Sequence, residues 1–493
     1  MLNKLRKLLF THRENLTGRT LIAASWSLIG SSGRGLLRLM SNLILTRLLF
    51  PEAFGLMATA MVIVNLIQLF SDTGIKTALI QNPRGGSPEF INTSFIISII
   101  RNMLLFIILI FAIQPVVSFY QQEALRPLLW IMAFALLVEG FQNPGLPIVI
   151  KKMQIEKQVL YSVGSQFAGF VCTIILVYNF RSVTAVAVGY LLTSIFRVIA
   201  SYLIISYRPQ LKWDRQSGLE LLHFGKFVFV NTMVGWMILN LDRLVLAKTL
   251  DMNQLGYYNI ALYIGVFLSD ILIQIFSQSY FPALSMIANQ PEKVHQSFHK
   301  ALHSIIPVVV PILTLTALFS NEIILVLYDP RYSFAAGVLF WLSLKSIINV
   351  ITDIQSGTIF ALGKPVYVTI SNTVGLIILV AFLPYVSRNY GIQGTGSILL
   401  ISSITITIIQ SLILSLKLKF PVKLVVMPWI HISGLTMTIC LSYMLMKPLL
   451  NNPGTINLIH ILPMVGISIG MALFCLNRFG SFKLKKLMYE GVV

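Results

Sequence analysis

The chain has 493 residues, of which 56% are hydrophobic and only 11% charged, and its formal net charge is +20. Soluble proteins average about 25% charged residues, and a water-facing shell cannot be built from so apolar a composition. A soluble enzyme, a secreted disulfide scaffold and a disordered chain are therefore excluded, which leaves an all-α polytopic membrane protein. Open sheets do not span bilayers, and the apolar runs are too long and uniform for barrel strands.

Residues 1–19 form a basic N-terminal segment with Lys4, Arg6 and Lys7. Only Leu8, Leu9 and Phe10 follow before Thr11 and His12, too short for a signal-peptide core, so the first long apolar run is read as a retained span. A spanning helix needs about 20 mostly apolar residues, and the sequence predicts fourteen such helices. The first six cover 20–46, 54–76, 93–118, 125–150, 158–180 and 183–206. The next six cover 223–249, 255–281, 302–328, 334–361, 366–386 and 391–416. The last two cover 425–447 and 456–477. Breaks coincide with turn residues such as Pro51, Pro83 to Gly86, Pro209, Pro291, Pro330 and Gly363 to Pro365.

Charge tests this count. With the N-terminus in the cytoplasm, most of the 37 lysines and arginines fall on cytoplasmic segments, as the positive-inside rule requires. The basic balance is then a signature of topology and of attraction to anionic lipid, and no nucleic-acid partner is expected. Both termini are expected in the cytoplasm.

An internal repeat is also present. Residues 45–61 read LTRLLFPEAFGLMATAM and residues 246–262 read LAKTLDMNQLGYYNIAL. Aligned without gaps they pair Leu45 with Leu246, Arg47 with Lys248, Leu49 with Leu250, Gly55 with Gly256 and Ala60 with Ala261. The offset equals six spans, an even number, so both copies run the same way through the membrane. That predicts two parallel six-helix lobes around a central cavity, followed by two appended helices. The organisation expected is an N-lobe at 20–206, a cytoplasmic linker at 207–222, a C-lobe at 223–416, helices 13 and 14 within 417–478, and a cytoplasmic tail at 479–493.

Ionisable groups inside spans are costly and mark interiors or wet cavities. Arg34, Arg38 and Asn42 recur every fourth residue in span 1, and Asn65, Gln68 and Asp72 share a face of span 2. Span 7 carries Asn231 and Asp242, span 8 carries Asn259, Asp270 and Gln274, and span 10 carries Lys345, Asn349 and Asp353. Glu139 lies in span 4 and Arg197 in span 6. Stripes of this kind would line a central cavity. Guanidinium groups at its middle suit an anion, because their forked donors match phosphate oxygens. Interhelical ion pairing is the rival role for Arg34 and Arg38. Asp72, Glu139, Arg197, Asp242, Asp270 and Asp353 are candidates for coupling or gating, since a desolvated carboxylate can exchange a proton; structural pairing is the rival there too.

Other motifs point to no chemistry. Cys172, Cys440 and Cys475 sit in apolar runs without metal spacing. His295, His299 and His303 are spaced four apart beside a loop and are read as a solvated helix face. No GxxxxGK[ST] loop occurs, so no nucleotide drives transport directly. The reading is of a non-enzyme with no catalytic residue, metal or cofactor, whose energy source would be a proton or sodium gradient, the membrane potential, or substrate supply and removal.

Residues 45–81, LTRLLFPEAFGLMATAMVIVNLIQLFSDTGIKTALIQ, resemble the bacterial polysaccharide-exporter branch of the multidrug/oligosaccharidyl-lipid/polysaccharide flippase superfamily. The Pro-Glu-x-Phe-Gly turn at 51–55 and Ser-Asp-x-Gly at 71–74 are its most specific parts, and 240–262 with Phe281 to Ser285 resemble its second half. The resemblance implies alternating access and an undecaprenyl-pyrophosphate-linked oligosaccharide carried across the inner membrane for O-antigen, capsule or exopolysaccharide synthesis. No family signature covers Arg34 and Arg38; on the chemistry of the stripes they would hold the pyrophosphate, and Asn42, Asn65, Gln68, Asn231, Asn259, Gln274, Lys345 and Asn349 would hold pyrophosphate or sugar. Membrane lipids and a polysaccharide polymerase are the implied partners of a monomeric transport unit. Three alternatives stand beside it: an ion-coupled drug exporter of the same fold, a lipid II flippase, and a non-transporting scaffold of a synthesis complex.

Overall fold

A computed structural model describes residues 16–69, 75, 79–80 and 82–446. Every regular element among them is helical. In chain order these are α1 (Leu16–Leu48), α2 (Pro51–Leu69), α3 (Pro88–Tyr120), α4 (Leu125–Glu139), α5 (Leu146–Lys151), α6 (Ile155–Phe180) and α7 (Val183–Ile204). There follow α8 (Arg215–Thr249), α9 (Met252–Met286), α10 (Pro291–Leu318), α11 (Ser320–Leu327), α12 (Ala335–Ala361), α13 (Pro365–Leu416) and α14 (Val422–Met446). Eight of these helices are long and apolar enough to cross a membrane, so the protein is a multi-pass membrane protein. The fourteenth expected span and the C-terminal tail lie outside the described residues, as does most of the N-terminal segment.

Side-chain caps set the starts of three helices. Ser87 caps α3, its hydroxyl accepting from the Phe90 amide at 3.4 Å, with Pro88 in the first turn where its missing N–H costs nothing. Ser182 caps α7 through the Thr184 amide at 3.1 Å. Asp214 caps α8 through the Ser217 amide at 2.8 Å, so α8 begins well before the span start expected at 223. Charge-assisted bonds from the Ser217 hydroxyl and amide hold the Asp214 carboxyl below its ordinary value.

The expected span 302–328 is divided between α10 and α11, and two further stretches are informative. The stretch 125–150 is not one helix: α4 stops at Glu139, a turn runs through 140–145, and the short α5 follows. Pro144 and Pro147 remove helical donors, and the Asn143 side chain accepts from the Gly145 amide at 2.9 Å, closing an Asx turn. By contrast, α13 covers 52 residues, but it consists of two helices that meet at a kink at Gly391 (φ 62°, ψ −151°). That backbone region is open essentially to glycine alone. A straight helix of that length would measure about 78 Å, more than twice the hydrocarbon thickness, so the kink divides α13 between the spans expected at 366–386 and 391–416.

The chain divides into two compact units, 1–256 and 257–493, with the boundary inside α9. In the first unit α1 packs on α6, α6 on α7, α4 on α3 and α7, and α8 on α2 and α3. In the second, α12 packs on α13 and α10, and α14 packs on α10. A large aliphatic cluster joins α10, α12 and α14, including Phe298, Ile306, Val310, Val350, Ile351 and Ile432.

The repeat is visible in the backbone. Its first copy ends one helix at Leu48 and starts the next at Pro51; the second does so at Thr249 and Met252, the equivalent positions. The copies also touch. A Cβ placed on Gly55 would overlap the Met252 carbonyl, and one on Gly256 would overlap the Pro51 carbonyl. Each glycine therefore meets the counterpart of its own helix's first residue, which is a local two-fold contact. Thr59 reinforces it, packing its hydroxyl 3.9 Å from the Met252 sulfur.

Candidate functional site

The interior of the first unit is built on charge. Glu139, at the C-terminal end of α4, accepts from Arg197 of α7 at 3.0 Å and from Ser194 one turn earlier at 3.1 Å. Gln68 of α2 reaches its second oxygen at 3.5 Å. The Glu139 side chain is only 16% exposed and that of Arg197 36%. A carboxylate so withdrawn from water needs such partners, because an isolated charge there would be strongly destabilising.

Beside this cluster lies a partly open cavity of about 360 Å³ between α3, α4, α5 and α6. Its polar lining includes Arg101, Asn102, Glu139, Gln142, Gln158 and Tyr161, and Pro144 and Pro147 belong to its apolar wall. The Tyr161 hydroxyl donates to the Gln142 carbonyl at 3.2 Å. The turn that forms the apolar wall is anchored from outside. The Asn143 amide N–H donates to the Ser201 hydroxyl at 3.0 Å and its side chain to the Tyr207 carbonyl at 2.7 Å. Tyr207 in turn donates to Asn92 at 2.9 Å. The segment after α7 is thus strapped along α3 and α5.

The second unit is organised differently. Between α12 and α13 runs a ladder of neutral groups. Thr352 meets Thr407 at 2.6 Å, Gln355 donates to Ser411 at 2.8 Å, and Gln410 donates to Ser356 at 3.0 Å and to Ser371 at 3.1 Å. Tyr280 of α9 joins Thr358 at 2.8 Å. Gln355, Thr358, Ser371, Thr407 and Gln410 are all fully buried.

The residues singled out from sequence fall into three groups. Arg34 is half-buried and donates to the Ser162 hydroxyl of α6 at 3.1 Å, while Gln166 donates to the Arg34 carbonyl at 3.4 Å. Arg38 is exposed and Asn42 is buried. Gln68, Glu139 and Arg197 come together; Asn65 is half-buried on the same helix as Gln68. Asp242 and Asn259 are buried, Lys345 and Asn349 half-buried, and Asp353 exposed. Asp72 lies outside the described residues, and Asn231, Asp270 and Gln274 lie outside those whose side chains are described. Sequence reasoning missed Ser194, Tyr161, Gln142 and Gln158, and the whole neutral ladder.

The histidine reading needs correction. His299 and His303 are not a solvated face. Their Nε2 atoms approach to 2.8 Å, and the His303 ring stands 4.9 Å from that of His431 on α14. His295 packs edge-on against Phe420 at 4.4 Å. Contact between α10 and α14 half-buries the set. No cluster of three residues able to hold a metal occurs among the described residues.

Comparison with known proteins adds the following. Residues 44–336 match the family described as "Polysaccharide biosynthesis protein". The chain is 24% identical over 340 residues to the lipopolysaccharide biosynthesis protein WzxC of Escherichia coli (strain K12), covering 68% of each chain. It is 18% identical over 320 residues to the succinoglycan biosynthesis transport protein ExoT of Rhizobium meliloti (strain 1021), covering 65% of each. The fold is similar to that of the lipid II flippase MurJ in an inward closed conformation. That match has a TM-score of 0.72 at 15% identity and covers 92% of this chain and 98% of that one.

Proposed function

We propose, from the premise that this chain belongs to the polysaccharide biosynthesis protein family, that it flips an undecaprenyl-pyrophosphate-linked oligosaccharide across the bacterial inner membrane. Surface polysaccharide synthesis would use the product. The relatives support this reading, since one is a biosynthesis protein for lipopolysaccharide and another a transport protein for succinoglycan. The fold supports it too, being shared with a flippase for a lipid-linked saccharide.

One observation carries the reading. Arg34 and Arg38 stand one turn apart in the middle of α1, the helix read from sequence as the first span, the first half-buried and the second exposed. Two adjacent guanidinium groups at membrane depth are costly without an anionic partner. A pyrophosphate supplies oxygens in the geometry such forks prefer. In this mechanism the arginines receive the pyrophosphate from the cytoplasmic leaflet and the polyprenyl tail stays in lipid. Polar side chains hydrogen-bond the sugar, and alternating access of the two six-helix halves delivers it to the other leaflet. The N-terminus is cytoplasmic, and an ion gradient or consumption of the product supplies the drive.

The test is deletion of the gene followed by extraction of inner-membrane lipids. Accumulation of a lipid-linked oligosaccharide with loss of the surface polymer is the expected result. An unchanged lipid pool and an unchanged surface would refute the reading. Arg34→Ala and Arg38→Ala should each reproduce the accumulation at normal membrane levels.

A further inference from the structure

The cavity of the first unit has more hydrogen-bonding capacity than its own residues use. Among the described residues Gln158 has no side-chain hydrogen bond. Gln142 spends only its carbonyl, on Tyr161. Asn102 spends only its amide nitrogen, on the Ser98 carbonyl one turn back at 2.9 Å. Three amide groups thus present open donors and acceptors around one space. Asn102 is buried and Gln142 and Gln158 are half-buried, and groups so placed are completed by water or a ligand.

The volume and the walls select among ligands. About 360 Å³ lies at the lower end of the range for small-molecule sites, roughly 300 to 1,000 Å³. That admits a unit of one ring and excludes a lipid tail. Amides serve as both donor and acceptor, as a set of hydroxyl groups requires. Pro144, Pro147 and the Tyr161 ring offer flat surfaces suited to the C–H faces of a saturated ring. A cation is disfavoured, because the carboxylate in the wall, Glu139, is already held by Arg197, Ser194 and Gln68.

We infer that this partly open cavity between α3, α4, α5 and α6 is a monosaccharide subsite. It takes one pyranose ring of the lipid-linked substrate on the amides of Asn102, Gln142 and Gln158. The inference rests on the flippase reading and adds to it a place where the sugar is read apart from the pyrophosphate. The strap anchored on Asn143 holds one wall in position, so the subsite is preformed and the ring meets little ordering cost.

The experiment uses two probes with the full-length protein in lipid nanodiscs. One is the lipid-linked saccharide purified from a strain lacking the gene; the other is the same polyprenyl pyrophosphate without sugar. Wild type should bind the sugar-bearing lipid about tenfold more tightly, the worth of two or three amide hydrogen bonds. Gln158→Leu deletes no hydrogen bond of the folded protein and should lower the ratio about two- to threefold. Gln142→Leu should do the same, and unchanged thermal unfolding midpoints would show both variants folded. A tenfold ratio surviving in both folded variants, or a ratio of one in wild type, overturns the subsite and leaves the flippase reading intact. A deletion strain with no lipid-linked saccharide to purify overturns the flippase reading itself, and the subsite with it.

Discussion

The two units solve the same problem in opposite ways. Each must bury polar groups within an apolar bundle. The first does so with a carboxylate and a guanidinium, Glu139 and Arg197, attended by Ser194 and Gln68. The second does so with neutral groups alone between α12 and α13, from Thr352 and Thr407 to Gln410 and Ser371. A neutral ladder loses little when one rung goes, because each bond is worth about 1 kcal/mol net. A buried ion pair is different, since removing one partner strands a charge. The contrast sets a partly buried ion pair between helices of the first unit against a neutral ladder in the second.

Substitutions can break this contrast or sharpen it. The largest effect is expected for Arg197→Ala, which leaves the Glu139 carboxylate with only neutral partners. It should destabilise the protein by about 2 to 3 kcal/mol, toward the low end for a broken pair because Arg197 is partly exposed. The thermal unfolding midpoint in detergent measures it. Glu139→Gln combined with Arg197→Gln should be less harmful than Arg197→Ala, and equal losses would mean that charge is not what matters. Next comes Gln410→Leu in the ladder, which strips partners from Ser356 and Ser371 and should cost about 1 to 2 kcal/mol. A cost above that of Arg197→Ala would invert the comparison. Arg34→Ala removes a single bond to Ser162 and should cost at most about 1 kcal/mol while abolishing export of the lipid-linked unit. Loss of stability without loss of export would make Arg34 helix glue.

The smallest effect lies at the surface. Asp214 is held below its ordinary value by bonds from Ser217, so its ionised form favours the folded state. That contribution is present at neutral pH and fades as pH drops below the ordinary value of 3.8. The gap in unfolding midpoint between wild type and Asp214→Ala should therefore narrow in acid. A gap that widens on acidification would give the carboxylate the opposite sign.

Much of the fold was legible because helix ends obey short-range rules. The break after Leu48 and the restart at Pro51 follow from proline, and the repeat transfers the same geometry to Thr249 and Met252. The turn after Glu139 was signalled by Asn143, Pro144 and Pro147, yet apolar neighbours concealed it. The site was less legible. Glu139 and Arg197 were each conspicuous, but nothing local says that α4 and α7 lie side by side. Serine, threonine and glutamine in α12 and α13 looked unremarkable, since a neutral ladder exists only after two helices meet. The histidines misled for a similar reason: His431 is over a hundred residues from His303, and α14 had to dock before the face could be seen as covered.

The crossing of Gly55 and Gly256 carries an implication about origin. A contact in which each residue faces its own counterpart is what a symmetric homodimer has at its axis. Here both partners belong to one chain, and they match at the level of single backbone carbonyls. Such a relation is expected of a gene duplicated and fused after its product had already learned to pair with itself.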